Sequence, residues 1–213
     1  MKVETLDLFP IKIFRTKVED NKNLKEILVG DILKNVDSLV TPEHWITKKL
    51  ITSFNGEPDG MEVIKKNKEL LNETYQRCIK NIFDKESEIM ITHMWYNVYL
   101  DGEYQEEHDH LGGIFHPSHF SFIHLLCFDK ENHTPPEFRD PLSQLRNLSL
   151  DLESSDYQDN YSPDVEEGDI IMFPSYLCHS VLAGKKTEYP RITISFNCVV
   201  NKYGENEYGK EVR

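Results

Sequence analysis

Two histidines separated by one residue are the first feature of this sequence that could do chemistry. His108 and His110 flank Asp109. In an extended strand, residues i and i+2 project to one face and the residue between them projects to the other. The two imidazoles can therefore converge on one metal ion, with Asp109 turned away. A β-bulge at Asp109 would reverse this alternation, so Asp109 stays open as the alternative ligand to His110.

A third candidate ligand, His179, ends the segment GDIIMFPSYLCH, which begins at Gly168. The apolar run Ile170–Phe173 predicts a buried strand, because short runs of β-branched and aromatic residues are typical of one. Pro174 and a following turn would return the chain toward the first pair of histidines. The sequence therefore predicts a metal site formed by two separate segments.

An arginine follows the last histidine in a strongly alternating segment. Arg191 and Thr193 would share one face of a strand, while Ile192 and Ile194 would share the other. An arginine directed into the interior of a barrel is costly unless it meets an anion. Its forked guanidinium suits a carboxylate held by two hydrogen bonds. The interior is thus expected to hold a metal and, deeper, a carboxylate-bearing cosubstrate.

The segments that must position these residues fall into two halves. Residues 1–88 predict an N-terminal strand within residues 1–20 and two helices, over Asn21–Val40 and Met61–Lys80, which would form a helical support. Residues 89–213 contain short β-branched and aromatic runs separated by turn residues, which indicates an all-β sandwich or barrel. The predicted strands are Ile89–Leu100, His119–Asp129, Leu148–Leu152, Ile170–Phe173 and Arg191–Val200.

Composition and charge exclude several classes of protein. The 213 residues carry a formal net charge of −13, which argues against non-specific binding to nucleic acid or to an anionic membrane surface. No apolar run reaches the length of about 18 residues that a membrane helix needs. The first residues lack the apolar segment of a signal peptide, so we expect a cytoplasmic protein. The four cysteines show no zinc-knuckle or redox spacing.

The order of these motifs resembles the iron(II)- and 2-oxoglutarate-dependent oxygenases. The resemblance extends over about residues 90–198 and is closest to an oxygenase group of marine bacteria and phages that is related to the prolyl hydroxylases. Its most specific part is the His179 segment together with Arg191. The residues that carry it are Trp95, Asn97, Gly102, His108, His110, Ser121, Gly168, Asp169, Pro174, His179, Arg191, Thr193 and Asn197.

The resemblance implies a mainly β protein with a double-stranded β-helix (jelly-roll, cupin-like) core and N-terminal helices packed outside. It assigns His108 and His179 to iron and Arg191 to the far carboxylate of 2-oxoglutarate. Thr193 and Ser121 would lie near that same carboxylate. The resemblance also implies that Asn97 and Tyr99 line the mouth of the pocket.

One departure from the family pattern affects the third ligand. The usual motif is His-x-Asp or His-x-Glu, which gives iron two histidines and one carboxylate. Here His110 stands in the carboxylate position and Asp109 precedes it. His-x-His is frequent in the smaller group, so His110 is the expected ligand and Asp109 the alternative.

The resulting hypothesis is a dioxygenase, in the sense of a hydroxylase, that uses Fe(II), 2-oxoglutarate and O2. The alternative is a cupin-like barrel that binds a ligand or a partner without oxygenase activity, because a jelly roll does not dictate chemistry. The substrate stays open between a protein side chain and a small metabolite. The oligomeric state also stays open, a homodimer included.

Overall fold

The computed structural model describes eight stretches of the chain, namely residues 10–39, 41–54, 58–80, 82–83, 87–100, 102–111, 118–143 and 159–202. Short strands and three helices make up the N-terminal half of the described residues. In chain order they are β1 (Phe14–Lys17), α1 (Asn21–Lys34), a 3-10 turn (Val36–Ser38), β2 (Ile51–Thr52), α2 (Pro58–Lys66) and α3 (Lys68–Lys80). None of the helices in these stretches is long and apolar enough to cross a membrane.

Strands dominate the rest of the described chain. They are β3 (Ser87–Tyr99), β4 (Gln105–His108), β5 (Phe120–Cys127), β6 (Pro136–Arg139), β7 (Asn160–Tyr161), β8 (Asp169–Pro174), β9 (His179–Val181) and β10 (Arg191–Lys202). They form a six-stranded sheet in the order β1-β8-β5-β10-β3-β2 and a four-stranded sheet in the order β4-β9-β6-β7. Every pairing is antiparallel. This is the mainly β, double-stranded β-helix core that the family resemblance implies.

Both faces of the large sheet are buried, and alternate residues serve different cores. On β5, Phe122 and Leu126 pack against the helices, whereas Ile123 and Leu125 pack between the two sheets. On β10, Ile192, Ile194 and Phe196 face the helices, whereas Arg191, Thr193 and Ser195 face the interior of the barrel. The two-residue period of a strand therefore delivers polar side chains into the barrel from an otherwise apolar segment.

The N-terminal half supports the large sheet from outside. The buried leucine, isoleucine and tyrosine side chains of α1 and α3 join the outer apolar core. β1 extends the same sheet by pairing with β8, from Phe14 opposite Met172 to Lys17 opposite Asp169. The packing of the helices outside the barrel, predicted from the sequence, is thus what the structure shows.

Some boundaries differ from the sequence prediction. The helix predicted over Met61–Lys80 is two helices separated at Asn67, whose side-chain amide donates to the carbonyl of Val63. The helix predicted to reach Val40 ends at Lys34. The strand predicted at Leu148–Leu152 lies outside the described residues.

Candidate active site

Three histidines from the small sheet come together inside the barrel. His108 ends β4, His110 follows it, and His179 begins β9, directly opposite His108 in the β4–β9 register. One ring nitrogen from each histidine lies within 4.8 Å of those of the other two. Asp109 is outside this group, and its carboxylate accepts a hydrogen bond from the backbone N–H of Leu111 at 3.0 Å.

Hydrogen bonds determine which nitrogen of each ring carries the proton. The Nδ1 atom of His108 lies 2.8 Å from the carbonyl oxygen of Glu106, so Nδ1 must donate and Nε2 keeps its lone pair. The Nδ1 atom of His110 lies 3.1 Å from Oδ1 of Asn197, which leaves its Nε2 as the lone-pair nitrogen in the same way. The Nδ1 atom of His179 faces the carbonyl of Leu177 at 3.4 Å. All three rings thus present Nε2 as the available ligand atom.

Burial keeps these imidazoles neutral. Burial first, and then the neighbouring histidines, lower the pKa of His110 to about 3 and that of His179 well below its usual value. Burial also lowers the pKa of His108. Aromatic rings provide the apolar surroundings, with Trp95 at 5.3 Å from His110 and Phe173 at 4.8 Å from His179 between ring centres. Neutral imidazole is the form that binds a metal.

The spacing of the donor atoms fits a metal ion. The Nε2 atoms of His108 and His110 are 3.2 Å apart, with two lone pairs facing each other. Two nitrogens bound at about 2.1 Å to one ion and at right angles lie about 3.0 Å apart. Imidazole is a ligand that suits iron as well as zinc, copper and nickel. The three histidines therefore form a donor set for a mononuclear transition-metal site.

Arg191 lies across the interior from the histidines. It is 3% exposed, and its Nε and Nη1 atoms make no hydrogen bond with any described residue. Its guanidinium carbon lies 4.4 Å above the centre of the Tyr99 ring. The Oδ1 atom of Asn97, buried nearby in the same wall, also has no partner among the described residues. Buried donors of a permanent cation are stable only beside an anion, so this end of the interior fits a carboxylate.

One pocket, partly open to solvent, joins the two ends. It is lined by side chains from both sheets: Trp95, Asn97, Tyr99, Gln105, His108, His110, Ile123, His179, Val181, Arg191, Thr193 and Ser195. The register of β10 against β3 places Arg191 opposite Tyr99 and Thr193 opposite Asn97. Asn97 and Tyr99, which the resemblance implies at the pocket mouth, are both buried in this lining.

Ser121 is not among the residues that line this pocket, unlike the other site residues that the resemblance implies. Its hydroxyl donates to Oδ1 of Asn197 at 2.8 Å, and it lies 2.8 Å from the hydroxyl of Ser175. Asn197 in turn accepts from His110, so a buried chain of polar groups runs behind this histidine. A contact between Ser121 and a cosubstrate carboxylate stays a prediction.

Sequence reasoning missed Gln105, and it named Asn197 in the motif without giving it a role. Gln105 lies on the same face as His108 although the two are three residues apart, because β4 has a bulge between them. Asn197 continues the inward series of Arg191, Thr193 and Ser195, so the period of the strand could have identified it.

His119, His124 and His133 are hydrogen bonded away from this cluster. His124 is completely buried between Tyr75 and Asn21. His133 joins the backbone N–H of Asp129 to the carbonyl of Tyr189. His119 accepts from the backbone N–H of Val200. His116 lies outside the described residues.

Comparison with known proteins agrees with this architecture. Residues 93–197 match the model of the family described as "Putative 2OG-Fe(II) oxygenase". The fold is similar to the crystal structure of a Pseudomonas putida prolyl-4-hydroxylase, with a TM-score of 0.55 and 11% identity over 91% of this chain and 94% of that one. An oxidoreductase of the 2OG-Fe(II) oxygenase family from Burkholderia pseudomallei gives a TM-score of 0.47 and 13% identity, over 64% of this chain and 55% of that one. No curated protein matches the sequence at a significant level.

Proposed function

Residues 93–197 of this chain form a domain of the 2OG-Fe(II) oxygenase family, and we propose that the protein is a hydroxylase whose site lies in the cavity between His108 and Arg191. The family uses Fe(II), 2-oxoglutarate and O2. When bound, the iron supplies the chemistry that couples oxidative decarboxylation of 2-oxoglutarate to oxidation of a substrate C–H bond. The contribution of the chain is to bind, orient and shield the reactants.

In this proposal His108, His110 and His179 hold the iron through their Nε2 atoms. The backbone carbonyls of Glu106 and Leu177 and the amide of Asn197 fix the ring orientations by accepting from Nδ1. Such outer hydrogen bonds set the tautomer of a ligating histidine and strengthen it as a ligand. Asp109 belongs to the alternative ligand set, although its position beside the Leu111 amide supports His110.

Arg191 binds the far carboxylate of 2-oxoglutarate in the same proposal. The Tyr99 ring lies against the guanidinium, and Thr193 and Asn97 form the next opposed pair on the same face of the sheet. Neighbouring aromatic side chains exclude water and so strengthen the electrostatic contacts of the site. The observation that carries the proposal is a set of three neutral imidazoles facing a buried guanidinium with unpaired N–H groups across one cavity.

Anaerobic titration tests the proposal directly. Fe(II) and 2-oxoglutarate together should give a weak metal-to-ligand charge-transfer band, and O2 should then give succinate. His108→Ala should abolish both signals, whereas His119→Ala, a change of a histidine outside the cluster, should preserve them. Metal binding without the band or succinate would favour the cupin-like binding barrel instead.

The substrate class can be tested with the same assay. We propose a protein side chain or a small metabolite as the substrate, and a panel of peptides and metabolites should reveal one that accelerates succinate formation. The net charge of −13 supports the proposal that the protein does not bind nucleic acid non-specifically. A cytoplasmic location stays a prediction. Sedimentation analysis would test the proposed homodimer.

A further inference from the structure

Gln105 is a buried amide between the two ends of the cavity. It begins β4, is 7% exposed and lines the cavity together with His108 and Tyr99. Gln105 pairs with Val181 and His108 pairs with His179, so three steps along β4 correspond to two steps along β9. This extra residue places the Gln105 and His108 side chains on one face of the strand.

The hydrogen bonds around Gln105 fix the direction of its amide. Because Nδ1 of His108 donates to the Glu106 carbonyl, Nε2 of His108 can only accept. The Nε2 atom of Gln105 lies 3.3 Å from that nitrogen, so its NH2 group faces the ring. The Oε1 atom then accepts from the hydroxyl of Tyr99 at 2.9 Å. One end of the amide therefore faces the histidine cluster and the other faces the tyrosine that stacks on Arg191.

Metal binding would remove the hydrogen-bond acceptor of this NH2 group. The ion takes the lone pair on Nε2 of His108, which is the acceptor that Gln105 uses. A buried N–H group without an acceptor costs about 1–3 kcal/mol, so a ligand that supplies an oxygen there gains affinity. The position between His108 and Tyr99 lies on the cavity wall, where a carboxylate beside the metal would present its oxygens.

We propose that the Gln105 amide binds the metal-end carboxylate of the cosubstrate, a role that rests on the proposed function. Gln105 and Arg191 then recognise opposite ends of one dicarboxylate. Tyr99 contacts both, through its hydroxyl and its ring face respectively. The chemical class recognised by Gln105 is any metal-chelating carboxylate, whereas Arg191 selects those with a second, distal carboxylate.

Two anions separate these roles in calorimetric titrations of the Mn(II)-loaded protein. Oxalate presents carboxylate oxygens to the metal but has no group that reaches Arg191, whereas 2-oxoglutarate has both. Gln105→Met keeps the side-chain length and removes both amide groups. This substitution should weaken the binding of oxalate and of 2-oxoglutarate by a similar factor, about 10- to 100-fold, because a hydrogen bond to a charged group is lost. Arg191→Met should weaken the binding of 2-oxoglutarate but not that of oxalate.

A second variant separates the NH2 group from the contact with Tyr99. Gln105→Glu keeps an acceptor for the Tyr99 hydroxyl but replaces the donor with a like charge. The affinity of Gln105→Glu for both anions should therefore fall by at least as much as that of Gln105→Met. Mn(II) affinity without an anion serves as the control for both variants and should not fall. A cooperative unfolding transition above the assay temperature shows that each variant is folded.

Several results would overturn the role of Gln105. A loss restricted to 2-oxoglutarate would mean that it acts through Tyr99 and Arg191, and recovery of binding in Gln105→Glu would mean the same. Unchanged affinity for both anions in Gln105→Met would eliminate any role in binding. If the wild-type Mn(II) protein binds neither anion, the proposed function itself fails, an outcome distinct from a failure of Gln105 alone.

Discussion

Arg191 and Tyr99 stand directly opposite each other on β10 and β3, and the guanidinium carbon lies 4.4 Å from the centre of the tyrosine ring. This is a cation–π contact, and the Nε and Nη1 atoms of the guanidinium make no hydrogen bond with any described residue. Burial lowers the pKa of Arg191, with Tyr99 acting in the opposite direction. An arginine remains charged even after such a shift, so its unpaired donors require a negative ligand.

Arg191→Ala should fold but require far more 2-oxoglutarate. Loss of a charge-assisted bidentate contact costs a few kcal/mol, or about 100-fold in affinity. Succinate formation measured against 2-oxoglutarate concentration checks this. Lys34→Ala removes the same charge from an exposed position on α1 and should leave the dependence on 2-oxoglutarate concentration unchanged. Saturation of Arg191→Ala at the wild-type concentration would refute the assignment.

Asn197→Leu should weaken metal binding by about 10- to 100-fold, because His110 would lose the acceptor that fixes its tautomer. Asn197→Asp retains a side-chain oxygen for Nδ1 and should recover much of the affinity. Competition with a chromophoric chelator for Mn(II) measures both variants. Equal affinity of Asn197→Leu and wild type would show that the hydrogen bond does not position His110.

The third metal ligand can be identified by comparing two neighbouring substitutions. His110→Ala should lose iron more severely than Asp109→Ala, because His110 belongs to the cluster and Asp109 contacts the Leu111 amide. Anaerobic Fe(II) titration of both variants gives the order. If Asp109→Ala abolishes binding and His110→Ala preserves it, the site contains two histidines and one carboxylate.

The sequence predicts those parts of the site that follow the regular period of a strand. His108 and His110 share a face, as do Arg191 and Thr193, and the structure shows both alternations. Gln105 could not be found in this way because the period of two places it opposite His108. The bulge that reverses this arises from the pairing of β4 with β9, a tertiary contact that local sequence does not encode.

The fold was predictable to a similar extent. The long apolar strands β3, β5, β8 and β10 were all predicted from their composition. The strands β4, β6, β7 and β9 have two to four residues each and were not predicted as separate elements. Strands this short show no measurable period, so their partners in the sheet define them. The same sheet contributes His108 and His179 to the site.

A buried histidine far from the metal cluster couples folding to pH. The Nε2 atom of His124 lies 2.9 Å from Oδ1 of Asn21 and therefore donates, while Nδ1 accepts from the Tyr75 hydroxyl at 3.0 Å. These contacts join β5 to α1 and α3 beneath the outer core. Protonation of Nδ1 would break the hydrogen bond that the Tyr75 hydroxyl donates to it. It would also place a positive charge in an apolar interface.

Acid should therefore destabilise the protein through His124. Burial lowers its pKa to about 3, so between that value and the unfolded value of about 6.5 only the unfolded state takes up the proton. Stability falls as the pH falls through this range, by about 2 kcal/mol from this group between pH 7 and pH 5. His124→Gln should be less stable at pH 7 but lose about 2 kcal/mol less than wild type on acidification, as measured by urea unfolding at both pH values. Equal losses in the two proteins would mean that His124 titrates normally in the folded state.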